Sequence, residues 1–296
     1  MSSAAARSAT GATQPFAVAG VQMAVSSQGD NIALMGRYAA HIRKRFPWVG
    51  MLLFPELCVF GPSPSLAQTL PGDAEERLCR IAKQNGLWLI PGSLFEKNGD
   101  KIFNTTPVIN PGGEVVARFR KLFPFRPYEQ GISAGSEFVV FDVPGAGRFG
   151  VTICYDMWFP ETTRQLVALG AEVILHPTMT DTIDRDIELS IARASAAINQ
   201  VYFFDINGVA DGGCGRSIVV DCAGYTLHEA DTAAQIIPVE IDFARIRRER
   251  ERGLRGLGQP LKSFRDREVK FPVYAGDRSG DGALADLGPL ALPGGT

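Results

Sequence analysis

Three residues stand at the ends of apolar runs, where an α/β protein presents chemistry. Cys154 closes Arg-Phe-Gly-Val-Thr-Ile-Cys, Glu56 closes Leu-Leu-Phe-Pro-Glu, and Lys121 closes Glu-Val-Val-Ala-Arg-Phe-Arg-Lys. A carboxylate at the carboxyl end of a buried strand points into the crevice where ligands bind. A cysteine between a strand and a following helix sits at an elbow, where nearby backbone N–H groups lower a thiol pKa and can donate to an oxyanion. The N–H of Tyr155 is the natural donor. Each residue also has an ordinary reading taken alone: Cys154 as a packed core thiol, Glu56 as a solvated strand end, and Lys121 as the last cation of a surface triplet with Arg118 and Arg120.

Together they supply what thiol attack on an amide requires. That reaction needs a base for the thiol proton, a cation or N–H pair for the tetrahedral oxyanion, and a proton donor for the departing amine. Of the three histidines, His41 falls on a helix and His228 past a hairpin. His176, in Val-Ile-Leu-His-Pro, ends a strand and keeps open a cysteine-histidine pair, or a substrate contact. Trp158 and Phe159, just after the cysteine, are candidates for a pocket wall or for core. Arg126 is a candidate partner for a substrate carboxylate, or a structural cation beside Glu129 or Asp156.

The elements that must position these groups read as α/β. Phe16 opens a buried strand, and Ile32, Met35, Ala39, Ile42 and Phe46 mark a helix face. Met51 to Phe54 reads as a strand and Asp73 to Asn85 as a second amphipathic helix, with Gly86 where a left-handed cap belongs. Leu-Trp-Leu-Ile-Pro-Gly-Ser-Leu-Phe-Glu-Lys, Lys-Ile-Phe-Asn-Thr-Thr-Pro-Val-Ile-Asn and the run ending at Lys121 form an antiparallel meander, broken by Lys-Asn-Gly-Asp and Asn-Pro-Gly-Gly turns. Phe138 to Val143 and Arg148 to Cys154 follow as strands. Pro160 opens a short helix that Gly170 closes, and Ala171 to Pro177 returns as a strand. Ile187, Ile191, Ala194 and Ile198 mark the expected buried face of another helix. A strand at Val201 to Ile206, a hairpin at Asp221 to Gly224 and a strand at Ile236 to Ile241 complete the pattern. Arg245 to Arg255 interleaves arginine with glutamate and reads as a solvated helix face.

The chain has 296 residues with 45% hydrophobic content, enough for one large core. With 30 basic and 32 acidic side chains, its net charge of -2 offers no attraction to nucleic acid or an acidic membrane. No apolar run is long enough to span a membrane, and no signal peptide is evident, so a cytoplasmic protein is expected. Five scattered cysteines agree with a reducing compartment. Cys214, Cys222 and His228 match no compact zinc spacing, so no metal site is expected. Phosphate-loop, zinc-protease and serine-hydrolase signatures are missing.

The motifs Phe-Pro-Glu-Leu around Glu56, Arg-Lys-Leu-Phe-Pro-Phe-Arg-Pro-Tyr-Glu around Lys121 and Cys-Tyr-Asp-Met-Trp-Phe-Pro-Glu at Cys154 resemble, in order and spacing, those of the nitrilase superfamily of carbon-nitrogen hydrolases. The resemblance runs from about Phe16 to Tyr274. It implies a four-layer αββα sandwich with Glu56 as base, Lys121 as oxyanion stabiliser, Cys154 as nucleophile and Glu129 as an auxiliary carboxylate. It also implies a thioester intermediate, no metal or organic cofactor, and a homodimer or larger assembly. Residues 1–15 are then an N-terminal tail, 16–274 the hydrolase domain and 275–296 a tail or an arm lying on a neighbouring subunit. Leu57 to Pro64, after the first glutamate, depart from the common pattern and suggest a different pocket wall. A small-amide amidase is the leading expectation. A nitrilase and an N-carbamoyl hydrolase are the enzymatic alternatives, and a catalytically silent binding module is the non-enzymatic one.

Overall fold

The computed structural model describes residues 15–274 and 280–292. Strand β1 (Phe16–Gln22) and the short β2 (Ala24–Val25) lead to helix α1 (Ile32–Arg45), strand β3 (Val49–Leu53) and helix α2 (Asp73–Asn85). Four strands form the expected meander: β4 (Trp88–Ile90), β5 (Leu94–Asn98), β6 (Lys101–Ile109) and β7 (Val115–Arg120). The anticipated strand from Leu87 to Lys97 is two strands. Pro91 cannot donate to a ladder and Gly92 takes φ +71°, so the chain bends between β4 and β5. After β8 (Ile132–Ser133), the second half runs β9 (Val140–Asp142), β10 (Arg148–Val151), α3 (Pro160–Ala168), β11 (Val173–Pro177), α4 (Arg185–Asn199) and β12 (Tyr202–Ile206). It closes with β13 (Val209–Ala210), β14 (Ile218–Val220), β15 (Thr226–Glu229), β16 (Gln235–Ile241), α5 (Phe243–Arg252) and α6 (Pro260–Arg265).

Two large sheets result. The first has the order β16-β1-β3-β4-β6-β5, with β7 and β8 also pairing to β6, and its centre β1-β3-β4 is parallel. The second has the order β15-β14-β12-β11-β10-β9 around a parallel β10-β11-β12 core. Alternation along each strand defines the layers. Val18, Met51, Leu53 and Phe119 of the first sheet meet Phe149, Val151, Val173, Leu175 and Phe204 of the second in one core. Ala17, Ala19 and Leu52 face the opposite way, onto Met35, Ile42 and Leu78 of α1 and α2. Ile174 and Phe203 face outward from the second sheet onto Leu166 and Leu189 of α3 and α4. Helix, sheet, sheet and helix therefore stack as the αββα sandwich.

Most boundaries follow the sequence pattern. Gly86 caps α2 at φ +61°, Pro160 starts α3, and the β14-β15 turn closes through Gly224 N–H to Asp221 O. Helix α4 departs from it. The expected buried face is largely the exposed one, with Ile187 48% and Ile198 44% exposed, while Arg185, Glu188, Leu189, Ala192 and Ala196 face the sheet. Arg185 is drawn inward by Asp205 of β12 at 2.9 Å and by Glu188 at 3.1 Å, and this buried ion cluster fixes the rotation of the helix.

The charged helix α5 is also more than a solvated face. Arg245 pairs with Asp221 at 2.7 Å and Arg247 with Glu172 at 2.7 Å, and Arg250 donates to the carbonyls of Gln200 and Ala171. Its arginines staple it across the second sheet. Among the described residues no helix is long and apolar enough to cross a membrane. Residues 1–14, 275–279 and 293–296 lie outside the described residues, so the N-terminal tail and part of the C-terminal arm fall there. Residues 280–292 carry the exposed side chains Leu284, Leu287 and Leu290.

Candidate active site

Each motif residue lies just beyond a strand end, and the two sheets bring those ends together. Glu56 follows β3 in a turn shaped by its neighbours. Leu57 takes φ +50°, its N–H donates to Ser93 Oγ at 2.8 Å, and the Cys58 thiol reaches the Pro91 carbonyl at 3.2 Å. Gly92 packs so closely that a Cβ there would lie 1.7 Å from the Pro55 carbonyl oxygen. The bend between β4 and β5 is thus the seat of the Glu56 turn. Leu57, Cys58 and Val59 point into core clusters, so the expected pocket wall from Leu57 onward is at its start interior packing.

Lys121 follows β7, and alternation separates it from its basic neighbours. Arg118 and Arg120 face outward, to Glu75 at 2.7 Å and Glu96 at 2.6 Å, while Phe119 faces the core between the sheets. Lys121 continues on the side of Phe119 and is 2% exposed. Its ammonium donates to Glu56 Oε1 at 2.9 Å and Glu129 Oε2 at 2.9 Å. Glu129 also accepts the Phe125 N–H. Asn104 of β6 joins the cluster from both ends: its amide donates to Glu56 Oε1 at 2.8 Å, and its carbonyl accepts the Lys121 N–H at 2.9 Å.

Cys154 opens a 3₁₀ turn, Cys154–Trp158, three residues past β10, and takes φ +46°. A non-glycine residue in this region is strained, and such strain persists only where the surroundings impose it. Asp156 imposes it here. Fully buried, its Oδ2 accepts the Ile153 N–H at 3.0 Å, and its Oδ1 accepts the N–H groups of Leu122 at 3.1 Å and Phe123 at 2.8 Å. Cys154 is buried in the core between the sheets, and Glu56 and Lys121 are the charges that bear most on its thiol. Thr178, just past β11, ties the Glu56 turn to the second sheet, its carbonyl accepting the Glu56 N–H at 3.2 Å.

The electrostatics follow from burial and pairing. Burial raises the Glu56 carboxyl above its usual range, against the pull of Lys121. Burial alone would depress the Lys121 ammonium, but Glu56, with Glu129 beside it, holds it well above its ordinary value. Burial, reinforced by the Glu56 charge, pushes the Cys154 thiol well up. The resting cluster is therefore a neutral thiol beside a Lys121 ammonium clamped between carboxylates. Burial also pushes Asp156 up to about 7 against the N–H groups it accepts.

An aromatic layer covers the elbow. Phe159 stacks on Phe123 at 3.6 Å between centroids, Tyr155 meets Phe159 at 5.3 Å and Phe125 at 4.9 Å, and Trp158 lies 6.2 Å from Tyr155. Tyr155, Trp158 and Phe159 are each partly exposed, as pocket-wall candidates need to be. Arg126 turns its guanidinium to backbone, donating to the carbonyl oxygens of Glu129 and Ile132. His176 lies on the helix-facing side of β11 with Ile174, fully buried, its Nδ1 2.7 Å from Thr152 Oγ1 and its ring against Phe203. It supports the layer beneath the elbow.

Asn104, Thr178 and Asp156 were not singled out as site residues by sequence. Asp156, Phe123 and Phe125 sit inside the quoted motifs, whereas Asn104 and Thr178 look like ordinary strand and loop polars. Among the described residues no group of three or more His, Cys, Asp or Glu side chains could hold a metal ion.

The carbon-nitrogen hydrolase family model matches residues 17–251. The chain belongs to the carbon-nitrogen hydrolase family. It is 28% identical over 252 residues to the omega-amidase NIT2 of Homo sapiens, covering 78% of this chain and 90% of that one. In structure it resembles Saccharomyces cerevisiae Nit3, a member of branch 10 of the nitrilase superfamily, with a TM-score of 0.74 and 27% identity over 80% of this chain and 94% of that one. It also resembles a cysteine-to-alanine mutant of the amidase from Nesterenkonia sp. AN1 in complex with butyramide, with a TM-score of 0.69 and 25% identity over 81% and 95% of the two chains. As a family member, the chain is a carbon-nitrogen hydrolase of the nitrilase superfamily.

Proposed function

We propose that this hydrolase is an amidase that converts a small amide to its carboxylic acid and ammonia through a thioester on Cys154. The observation that carries this reading is the buried Glu56 carboxylate, whose Oε1 is held by Lys121 at 2.9 Å and Asn104 at 2.8 Å, with the buried Cys154 at the turn that Asp156 ties to the segment leaving Lys121. Glu56 takes the thiol proton as sulfur attacks the carbonyl carbon. The raised carboxyl of Glu56 suits this task, because a base is most effective when its pKa approaches the working pH. The tetrahedral oxyanion is received by the Lys121 ammonium and the Tyr155 N–H. Glu56 returns its proton to the leaving nitrogen, the C–N bond breaks and ammonia departs, leaving the thioester. Water, deprotonated by Glu56, attacks the thioester carbonyl, and collapse releases acid and restores the thiol. Glu129 holds Lys121 in place throughout.

The relatives support the amide substrate: one is an omega-amidase, and another is an amidase with butyramide bound. A homo-oligomer is part of the same reading, supported by the exposed Ile183 and Ile187 beside α3 and α4 and by Leu284, Leu287 and Leu290. Sedimentation of the purified chain tests it. A reducing, cytoplasmic setting agrees with five unpaired cysteines.

The decisive assay is ammonia release from short aliphatic amides, ω-amido acids, N-carbamoyl compounds and matched nitriles, with Cys154→Ala in parallel. Amide turnover that vanishes in Cys154→Ala, together with an acyl adduct on Cys154 by mass spectrometry, is the expected result. Turnover that survives the substitution overturns the thiol mechanism, and turnover of nitriles or N-carbamoyl compounds alone overturns the amide assignment.

A further inference from the structure

The carboxyl of Glu56 is not aimed by its own rotamer, because the last torsion of a glutamate is broad and its plane turns unless something holds it. Here one oxygen is held twice. Oε1 accepts the Lys121 ammonium at 2.9 Å and the Asn104 side-chain amide at 2.8 Å, one donor from the segment after β7 and the other from β6. Glu56, Lys121 and Asn104 are all buried, so bulk water does not compete for that oxygen.

Strand β6 is built to deliver this contact. Side chains two apart along a strand share a face, and Asn104 and Thr106 both address the Glu56 turn. Thr106 Oγ1 donates to the Gly92 carbonyl at 2.6 Å, on the bend that packs against Pro55. Thr105, between them, turns the other way to Glu96 at 2.6 Å. The main chain of Asn104 has a separate role, its carbonyl accepting the Lys121 N–H at 2.9 Å. Its side chain can therefore be changed while Thr106 still holds the bend and the backbone still holds Lys121. The sense of the amide follows from chemistry, since the opposite one would set a carbonyl oxygen against a carboxylate. In that sense Oδ1 is buried and finds no hydrogen-bond partner among the described residues. A residue kept for packing alone would not leave an acceptor bare, because an apolar side chain fills the same place without that cost.

We propose that Asn104 is a positioning residue for the general base: by sharing Oε1 with Lys121 it fixes the plane of the Glu56 carboxyl and leaves Oε2 as the oxygen that moves protons. The inference rests on Glu56 being the base that serves Cys154. Donors take both lone pairs of Oε1. The proton leaving Sγ then bonds to Oε2 as sulfur bonds to the carbonyl carbon, and that O–H bond breaks in turn as the leaving nitrogen takes the proton and the C–N bond opens. The titratable groups that bear on Glu56 are Lys121, Glu129 and Cys154, and its charge is felt in turn by Asp156.

The test is steady-state hydrolysis across pH of the fastest amide in the panel above, with thermal unfolding alongside, for Asn104→Leu and Asn104→Asp. Asn104→Leu removes the donor and the bare oxygen together. Its kcat should fall about ten- to a hundredfold with KM little changed, while its melting temperature stays at or above that of the wild type. Losing a hydrogen bond to the charged carboxylate also weakens the acid, so the acid limb of kcat/KM should move up by roughly one pH unit. Asn104→Asp keeps the shape but sets a second carboxyl against Oε1, and its acid limb should move up further. A merely structural residue would give the reverse, a lower melting temperature with the acid limb in place. Unchanged kcat, or an acid limb that stays in place in whichever variant folds, overturns the proposal. Turnover surviving in Glu56→Gln would instead sink the base assignment on which it rests, so the two failures are separable.

Discussion

Asp156 accepts the backbone N–H of Phe123 at 2.8 Å, and with its other oxygen the N–H of Ile153 at 3.0 Å. One buried carboxylate thus ties the segment leaving Lys121 to the turn that presents Cys154. The first sheet supplies one end of this bridge and the second sheet the other. Asp156→Asn keeps the shape but replaces one acceptor oxygen with a donor, leaving at least one N–H facing an N–H. Stability should fall by about 1–3 kcal/mol, the cost of a buried unsatisfied donor. A shift of the elbow by about 1 Å costs up to about a hundredfold in rate. Thermal unfolding and kcat/KM measured together check both; unchanged kcat/KM would mean that the clamp is not needed for alignment.

Lys121 is held between Glu56 and Glu129, so its removal strands two carboxylates. Lys121→Met should cost about 3–5 kcal/mol and, by deleting the proposed oxyanion partner, lower kcat by about a hundredfold or more. Lys121→Arg keeps the charge but brings a planar fork into a space that fits an ammonium, and should not restore activity. Near-normal turnover by Lys121→Arg would show that charge alone suffices.

Gly92 and Gly99 both have positive φ, at +71° and +60°, but only Gly92 touches the Glu56 turn. Gly99→Ala meets open space and should cost about 1–2 kcal/mol from backbone strain alone, with kcat unchanged. Gly92→Ala carries the same strain plus collision with Pro55, and should lower kcat as well as the melting temperature. Equal effects of the two substitutions on kcat would detach the β4-β5 bend from the site.

His176 should make the fold sensitive to acid. Burial lowers it from 6.5 to about 3, aided by the Arg185 charge nearby. A depressed folded value means that the neutral imidazole contributes stability fully present above the unfolded pKa and lost as pH falls toward the folded one. Between pH 6.5 and about 3 this residue alone should remove stability at up to about 1.4 kcal/mol per pH unit. Denaturant unfolding from pH 7 to pH 5 measures the slope, and His176→Gln should flatten it. An identical slope in the variant would assign the acid sensitivity elsewhere.

The parts of this protein that sequence makes legible are those where local pattern and tertiary need agree. Glu56, Lys121 and Cys154 each follow an apolar run, and in a layered α/β fold the ends of such runs converge. Helices α1 and α2 show their faces because nothing competes with their apolar stripes. Legibility fails where a charge is buried by a distant partner. Arg185 and Glu188 look like a solvated helix start until Asp205 is seen beneath them, and the isoleucines of α4 then turn outward. At His176 the strand-end position suggests the crevice, while alternation along β11 places it with Ile174 on the side of the helices. In sequence the arginines of α5 look solvent-facing because their partners, Asp221 and Glu172, lie far off along the chain.

The backbone bond from Glu56 N–H to the Thr178 carbonyl, 3.2 Å long, crosses from one sheet to the other beside the thiol. Neither half of the sandwich owns a working centre. A chain cut in the exposed turn after β9 would yield two inert pieces, and turnover would return only as the pieces reassociate. Catalysis in this molecule is therefore a readout of assembly: any solvent, temperature or mutation that lets the sheets slide apart silences the enzyme before it melts either one.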